Sequence, residues 1–294
     1  MGLPGRAYRH FRELHRRGLV AATLGSVCDD AAAWGVGGHI RYAMELAGVE
    51  NFMAVRYPTG SRFRVRVSPF WKYWKGLEAG TEDRENLAFL ASFVKPGQTV
   101  LDVGAWEGPY ALLFGECVGP TGHVYAFEPD PSARTSLEAN IAANRLANVT
   151  AEPRCLSDRE GSASFYDAHG GTIGSLVRND LVAGLSRVPI RTTTVDSFCR
   201  EKGIRVDGLK VDVEGAEGLV LAGAEELIRR DSPWLFLEFH GVLMPEDEKR
   251  RSWSTIMGAA HQITFVHGKS QRYKPGDSLD AYPDCDYFHV LVRY

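Results

Sequence analysis

The sequence predicts an α/β protein with a doubly wound, Rossmann-like sheet, preceded by an N-terminal α+β extension. Three observations carry this. Val100 to Tyr110 reads as strand, turn and helix: an apolar run, then Gly104 and Gly108, then Pro109 where a first helical turn accepts it. Gly122 to Pro129 is a second apolar strand, ending in the acid Glu128. From residue 99 to residue 293, strand and helix patterns alternate, with no internal repeat or low-complexity tract.

The elements follow in order. Residues 1–80 form an extension and 81–294 the main domain. Arg6, Arg9, Arg12, Arg16 and Arg17 interleave with Tyr8, Phe11, Leu14 and Leu19, as on a docked helix with a solvated basic face. Gly35, Gly37 and Gly38 mark a loop, and Arg62 to Val67 alternates as a half-buried strand does. Phe70, Trp71, Tyr73 and Trp74 cluster, which suits packing of this segment onto the main domain. A helix over 81–93 has Thr81 as N-cap and acids in its first turn. Strand 99–103, helix 109–118, strand 123–127, helix 131–144 and strand 149–155 come next. Short strands at 162–166 and 188–193 flank a glycine-rich loop, 167–175, placed to close over a ligand. The pattern resumes with helices 194–201, 216–230 and 246–260 and strands 208–213, 234–239, 262–266 and 287–293, the last preceded by a polar loop, 269–286.

Composition narrows the function. At 294 residues the chain can bury a sizeable core without staples. Cys28, Cys117, Cys155, Cys199 and Cys285 lie far apart with no Cys-x-x-Cys, which suits a reducing compartment and gives neither a zinc motif nor a disulfide framework. A net charge of −3 offers no general attraction for nucleic acid. No apolar run reaches membrane-spanning length and no secretory segment follows the start, so a cytoplasmic location is expected.

The polar residues of interest fall where the apolar runs stop: Asp102, Glu128, Asp158, Asp212 and Glu238. In a doubly wound sheet these positions share one rim. Gly104 and Gly108 let backbone N–H groups approach a small polar ligand. Glu128 stands where nucleoside-binding α/β units place a carboxylate for ribose hydroxyls. Asp158, after Cys155-Leu156-Ser157, reads either as an acceptor from an adenine amino group or as a turn residue before Gly161. Asp212 and Glu214 alternate onto one side of a strand, and Glu217 reads as a helix-start acid facing the dipole. Glu238 and His240 repeat the arrangement one strand later. Asp212, Glu238 and His240 therefore form a candidate catalytic set, with His240 or Asp212 as base, or a site for a divalent metal such as Mg²⁺.

These motifs, in this order, resemble the FkbM-type S-adenosylmethionine-dependent methyltransferases. The residues that carry the resemblance are Val100 to Tyr110, Tyr125 to Pro131 with Asn140 and Asn144, Leu209 to Glu217 with Val220 to Ala224, and Leu237-Glu238-Phe239. The resemblance implies a class I methyltransferase fold, with a seven-stranded sheet whose last strand is antiparallel, and usually O-methylation. It places Gly104, Ala105 and Tyr110 under the methionine part of S-adenosylmethionine. Glu128 and Pro129 fall at the ribose, Ser157 and Asp158 at the adenine, and Asp212 near the methyl group. Asp102 and Glu82 join the cofactor-binding set, Glu82 by matching a glutamate ahead of the first motif. The family commonly has Asn-x-Gly where this chain has Trp106-Glu107-Gly108, a departure that bears on how the amino-acid end of the cofactor is held.

The implied acceptor is a hydroxyl on a small molecule, such as a natural product, or on a glycan. No nucleic-acid partner and no membrane span are expected, and a homo-oligomer is compatible with the sequence. The alternatives are an N-methyltransferase on the same scaffold or a non-catalytic nucleoside-binding module, the latter opposed by the retained Asp212, Glu238 and His240. A nicotinamide-dependent oxidoreductase would need a third glycine that the Gly104–Gly108 turn lacks.

Overall fold

Alternation decides the first element. In the computed structural model, which describes residues 51–167, 174–177, 186–258, 260, 262–265 and 287–294, strands β1 (Phe52–Arg56) and β2 (Arg62–Arg66) pair antiparallel. Met53, Val55, Phe63 and Val65 point inward, while Ala54, Arg56, Arg62 and Arg64 are exposed. Helix α1 (Trp71–Ala79) buries Trp71, Trp74 and Leu77 on one face and ends at Gly80, whose φ is +86°. Helix α2 (Arg84–Ala91) starts later than the sequence suggests. The Thr81 hydroxyl is spent on the carbonyl of Gly76 and does not cap the helix.

By contact the chain forms two compact units, one through Glu85 and one from Asn86 to Tyr294. The basic N-terminal helix, the Gly35–Gly38 loop, residues 168–173 of the glycine-rich stretch and the 269–286 loop lie outside the described residues.

The second unit runs β3 (Thr99–Val103), α3 (Pro109–Val118), β4 (His123–Phe127), α4 (Pro131–Ala143), β5 (Val149–Glu152), β6 (Cys155–Leu156), β7 (Gly161–Asp167) and β8 (Ser186–Thr193). It continues with α5 (Val195–Lys202), β9 (Gly208–Val211), α6 (Glu217–Ala222), α7 (Glu225–Asp231), β10 (Trp234–Phe239), α8 (Glu246–Gly258), β11 (Gln262–Phe265) and β12 (Phe288–Arg293). Pro109 and Pro131 both open helices, the latter behind Asp130, whose carboxylate accepts from the N–H of Ser132 and Ala133.

Among the described residues the main sheet has the order β11-β12-β10-β9-β3-β4-β5. The pairs from β10 through β5 are parallel, and β12 runs antiparallel to both β10 and β11. Helices cover both faces of a doubly wound sheet, so its central strands read as near-continuous apolar runs. Leu101, Phe127, Phe198, Leu209, Leu235 and Phe239 share one buried cluster.

Two expectations are corrected. The 149–155 strand is split at Pro153, which has no N–H for the ladder, and β6 leaves the main sheet to pair parallel with β8 in a second sheet, β6-β8-β7. The single helix over 216–230 is two, because the Asp196 carboxylate accepts from the N–H of Glu226 and Leu227 and so caps α7 separately. No helix among the described residues is long and apolar enough to cross a membrane.

Candidate functional site

The sheet order reverses at β3, with β4 and β5 on one side and β9 and β10 on the other. Crevices that bind ligands form at such switch points, outside the carboxyl ends of the strands. The parallel register aligns Val103 with Phe127 and with Val211, and Val211 with Leu237. The loops after four strands therefore leave the same rim, carrying Gly104, Glu128, Asp212 and His240.

Gly104 and Glu128 shape one wall. Gly104 has φ +78°, and a Cβ there would lie 1.8 Å from the main-chain oxygen of Asp212, so only glycine lets the two loops touch. Trp106 is also left-handed, at φ +49°, an unfavourable backbone state of the kind that clusters at functional sites. This turn aims the Trp106 N–H at Glu128 Oε2, at 2.8 Å, while the Asp130 N–H donates to Oε1 at 2.8 Å. The Asn140 amide holds the same loop from α4 by donating to the Glu107 carbonyl at 2.8 Å. Burial pushes the Glu128 carboxyl up to about 7, against the pull of those two N–H donors.

A buried lysine ties this wall to the next. Asp102 on β3 is in register with Lys210 on β9. The Lys210 ammonium lies 3.3 Å from Asp102 Oδ1, 3.3 Å from Asp212 Oδ2 and 3.0 Å from the Gly104 carbonyl, and sits 4.8 Å over the Tyr110 ring. Burial alone would lower its pKa, but Asp102, Asp212 and Glu238 hold it well above the usual lysine range. Asp102 and Tyr110 were expected to contact a cofactor. In the structure Asp102 is 0% and Tyr110 3% exposed, and both meet Lys210. Lys210→Met should cost about 3–5 kcal/mol in urea unfolding, because Asp102 is left as an uncompensated buried charge. Lys210 was missed from the sequence; its signal was a lysine inside a strand otherwise made of buried residues.

The opposite wall centres on His240, just past β10 and 4% exposed. Ligand atoms of Asp212, Glu238 and His240 lie within 4.8 Å of one another, so the structure brings the three together. His240 Nδ1 is 2.7 Å from Glu217 Oε1, while Nε2 is 3.7 Å from Glu214 Oε2 and 3.6 Å from Glu238 Oε1. Burial opposes charge on the ring, but Glu214, Glu217 and Glu238 outweigh it and raise the His240 pKa well above its ordinary value. Burial, together with neighbouring carboxylates and against the pull of His240, raises the carboxyl of Glu214. Glu238 is held low despite its burial, by His289, by His240 and by the Tyr287 hydroxyl. His289 faces Glu238 across the antiparallel pair, with Nε2 at 3.0 Å from Oε2.

Glu214, Tyr287 and His289 were not in the predicted set, and Glu217 was read as a dipole acid. Tyr287 immediately precedes the last strand and His289 lies on it, and no motif spacing could link them to Glu238. Two of the three candidate metal ligands already have nitrogen partners: Asp212 Oδ2 lies 3.3 Å from the Lys210 ammonium and Glu238 Oε2 3.0 Å from His289 Nε2.

The remaining predicted residues lie as follows. Ala105 is buried and donates its N–H to the Phe127 carbonyl, and the half-buried Pro129 accepts from Arg134. Ser157 is buried and donates to Asp158 Oδ1, which also faces Arg159. Asp158 stays about a third exposed, at 32%. Glu82 belongs to the first unit, where it packs on Gly76 and burial, with Asp83, raises its pKa. At the end of the glycine-rich stretch, the Ser175 hydroxyl donates to the Glu214 carbonyl at 2.9 Å, fixing that end beside the site.

A family model described as the methyltransferase FkbM domain matches residues 102–273, more than half of the chain. The 2-O-methyltransferase NoeI of Sinorhizobium fredii is 27% identical over 153 residues, 46% of this chain and 61% of that protein. The 31-O-demethyl-FK506 methyltransferase FkbM of Streptomyces tacrolimicus is 32% identical over 162 residues, 45% of this chain and 62% of that one. The chain thus spans about three-fifths of the length of these curated relatives. A solved FkbM methyltransferase from Methylobacillus flagellatus is similar with a TM-score of 0.44 at 14% identity, over 76% of this chain and 54% of that one. With the family's motifs running from the rim of β3 through β10, the chain belongs to the FkbM methyltransferase family.

Proposed function

We propose that the protein is an S-adenosylmethionine-dependent O-methyltransferase whose acceptor is a hydroxyl on a small molecule or a glycan. The observation that carries this is the convergence of Glu128, Asp212 and the Glu217–His240 pair on the rim of the switch point. The donor set fits the cofactor. Glu128 uses one lone pair of each oxygen on a backbone N–H and keeps others for the two ribose hydroxyls. Asp158 serves the adenine amino group, and the acids around Asp212 complement a cationic sulfonium. The O-directed names of both curated relatives support hydroxyl as the acceptor.

When bound, S-adenosylmethionine supplies a methyl group already activated for displacement. The protein's share is to align the acceptor oxygen, exclude water and receive the hydroxyl proton at His240 Nε2, which faces the acidic wall. Lys210 keeps Asp212 in place while this happens, by holding its carboxylate and the Gly104 carbonyl together.

Titration calorimetry with S-adenosylhomocysteine should show binding, and absence of binding would end this reading. Glu128→Ala should weaken that binding by about 1.5–3 kcal/mol, the range for hydrogen bonds to a charged group. Transfer of a labelled methyl group to hydroxylated natural products and neutral glycans, scored against amine acceptors, tests the acceptor class. Methyl transfer should be unchanged in EDTA, since no step needs a divalent ion; loss of turnover restored by Mg²⁺ would show that the crevice rearranges around a metal.

A further inference from the structure

We propose that Glu217 is a positioning residue, whose carboxylate fixes the His240 imidazole with its proton on Nδ1 and so leaves Nε2 as the atom that accepts a proton. This rests on the reading of His240 as the base. Glu217 is the first residue of α6, where an acid is ordinarily explained by the helix dipole. That explanation asks only for an exposed carboxylate in the first turn. Glu217 is 0% exposed, and its Oε2 has no partner among the described residues.

What the side chain does instead is specific. Its Oε1 accepts from the N–H of Gly215 at 3.2 Å and of Val213 at 3.4 Å, so the loop that carries Asp212 and Glu214 sets where this oxygen lies. His240 Nδ1 is 2.7 Å away. Two backbone N–H groups already donate to Oε1, which marks this oxygen as an acceptor, so in the 2.7 Å bond Nδ1 donates. The tautomer of the neutral ring follows from that bond. On the other side, Nε2 lies 3.7 Å from Glu214 and 3.6 Å from Glu238, beyond hydrogen-bond length. Nε2 is near enough to these acids to be stabilised when protonated, yet no hydrogen bond with either commits it. A base oriented by a second group through its far nitrogen is the arrangement used wherever a histidine must present one particular atom.

The test uses the whole chain labelled with ¹⁵N-histidine, with the His240 signals identified by their loss in His240→Gln. Above the pH at which the ring titrates, long-range ¹H–¹⁵N spectra should show the proton on Nδ1 and a bare Nε2. In Glu217→Gln, Val213 and Gly215 keep the amide oxygen in the Oε1 position, so the same tautomer should persist. In Glu217→Ala it should shift toward the Nε2-protonated form. With the acceptor found in the screen above, kcat of Glu217→Ala should fall about tenfold to a hundredfold. S-adenosylhomocysteine affinity should stay as in the wild type, and Glu217→Gln should recover most of the rate.

A wild-type ring protonated on Nε2 overturns the proposal without any variant, and so does an unchanged tautomer in folded Glu217→Ala. Should His240→Gln turn over at the wild-type rate, the base reading fails instead, whatever the tautomer.

Discussion

His240→Gln should lower kcat by about a hundredfold to ten-thousandfold, the usual contribution of a positioned base, with S-adenosylhomocysteine affinity held within about twofold. The pH profile should carry the same signature. Only the neutral ring accepts a proton, and the groups facing it from the β9–α6 loop, α6, β10 and the residue before β12 are Asp212, Glu214, Glu217, Glu238 and Tyr287. Although burial opposes the charge, the glutamates hold the ring protonated above its ordinary range. Wild-type turnover should therefore climb with pH about tenfold per unit and level off only above about 6.5, the unperturbed histidine value. In His240→Gln that limb should vanish.

Stability should move the other way. A histidine whose folded pKa is raised stabilises the fold fully below the unfolded value, and that contribution is lost as pH rises through the folded one. The protein should lose stability over the same alkaline range in which turnover rises, and urea unfolding of His240→Gln should show a flatter dependence there. A rate plateau already reached at pH 6 would contradict both parts.

The second large effect is expected from Gly104→Ala. The added Cβ would lie 1.8 Å from the Asp212 carbonyl oxygen, and φ +78° disfavours any residue with a Cβ. Because the obstacle is main chain, no rotamer change relieves it, and the loops after β3 and β9 must part. We expect a loss of at least about 3 kcal/mol in urea unfolding, in the range reserved for strain at special backbone positions. Cofactor binding should fall with it, since the Lys210 contact to the Gly104 carbonyl is broken and Asp212 shifts. Gly108→Ala shares the backbone strain, at φ +93°, but its one close contact is the Cδ1 of Leu137 at 2.6 Å, a side-chain end that can yield, so its cost should stay near about 1–2 kcal/mol. Equal costs at the two positions would show that the approach of the two loops is not what Gly104 provides.

Much of the site was legible as strand ends. Asp212, Glu238 and His240 were grouped because parallel strands in a doubly wound sheet end on one rim, and their ligand atoms do meet. The partner of Asp102 was not legible in the same way. Asp102 belongs to the body of β3, and its register partner is Lys210, so the pair neutralises itself inside the sheet. A lysine and an aspartate 108 positions apart carry no mark of that pairing in a single sequence. The break between α6 and α7 was equally invisible, since the cap that causes it comes from Asp196 on another helix.

Local chemistry is what the amino-acid order determined on its own: which runs are apolar on every side, where glycine and proline turn the chain, and which acids end the strands. These depend on neighbours a few residues away, so they survive without a fold. The tertiary structure alone decided which charges offset one another. Electrostatic and hydrogen-bond partners are set by distance in space, and only the closed sheet brings Glu217 to His240, Lys210 to Asp102 and the last strand's His289 to Glu238.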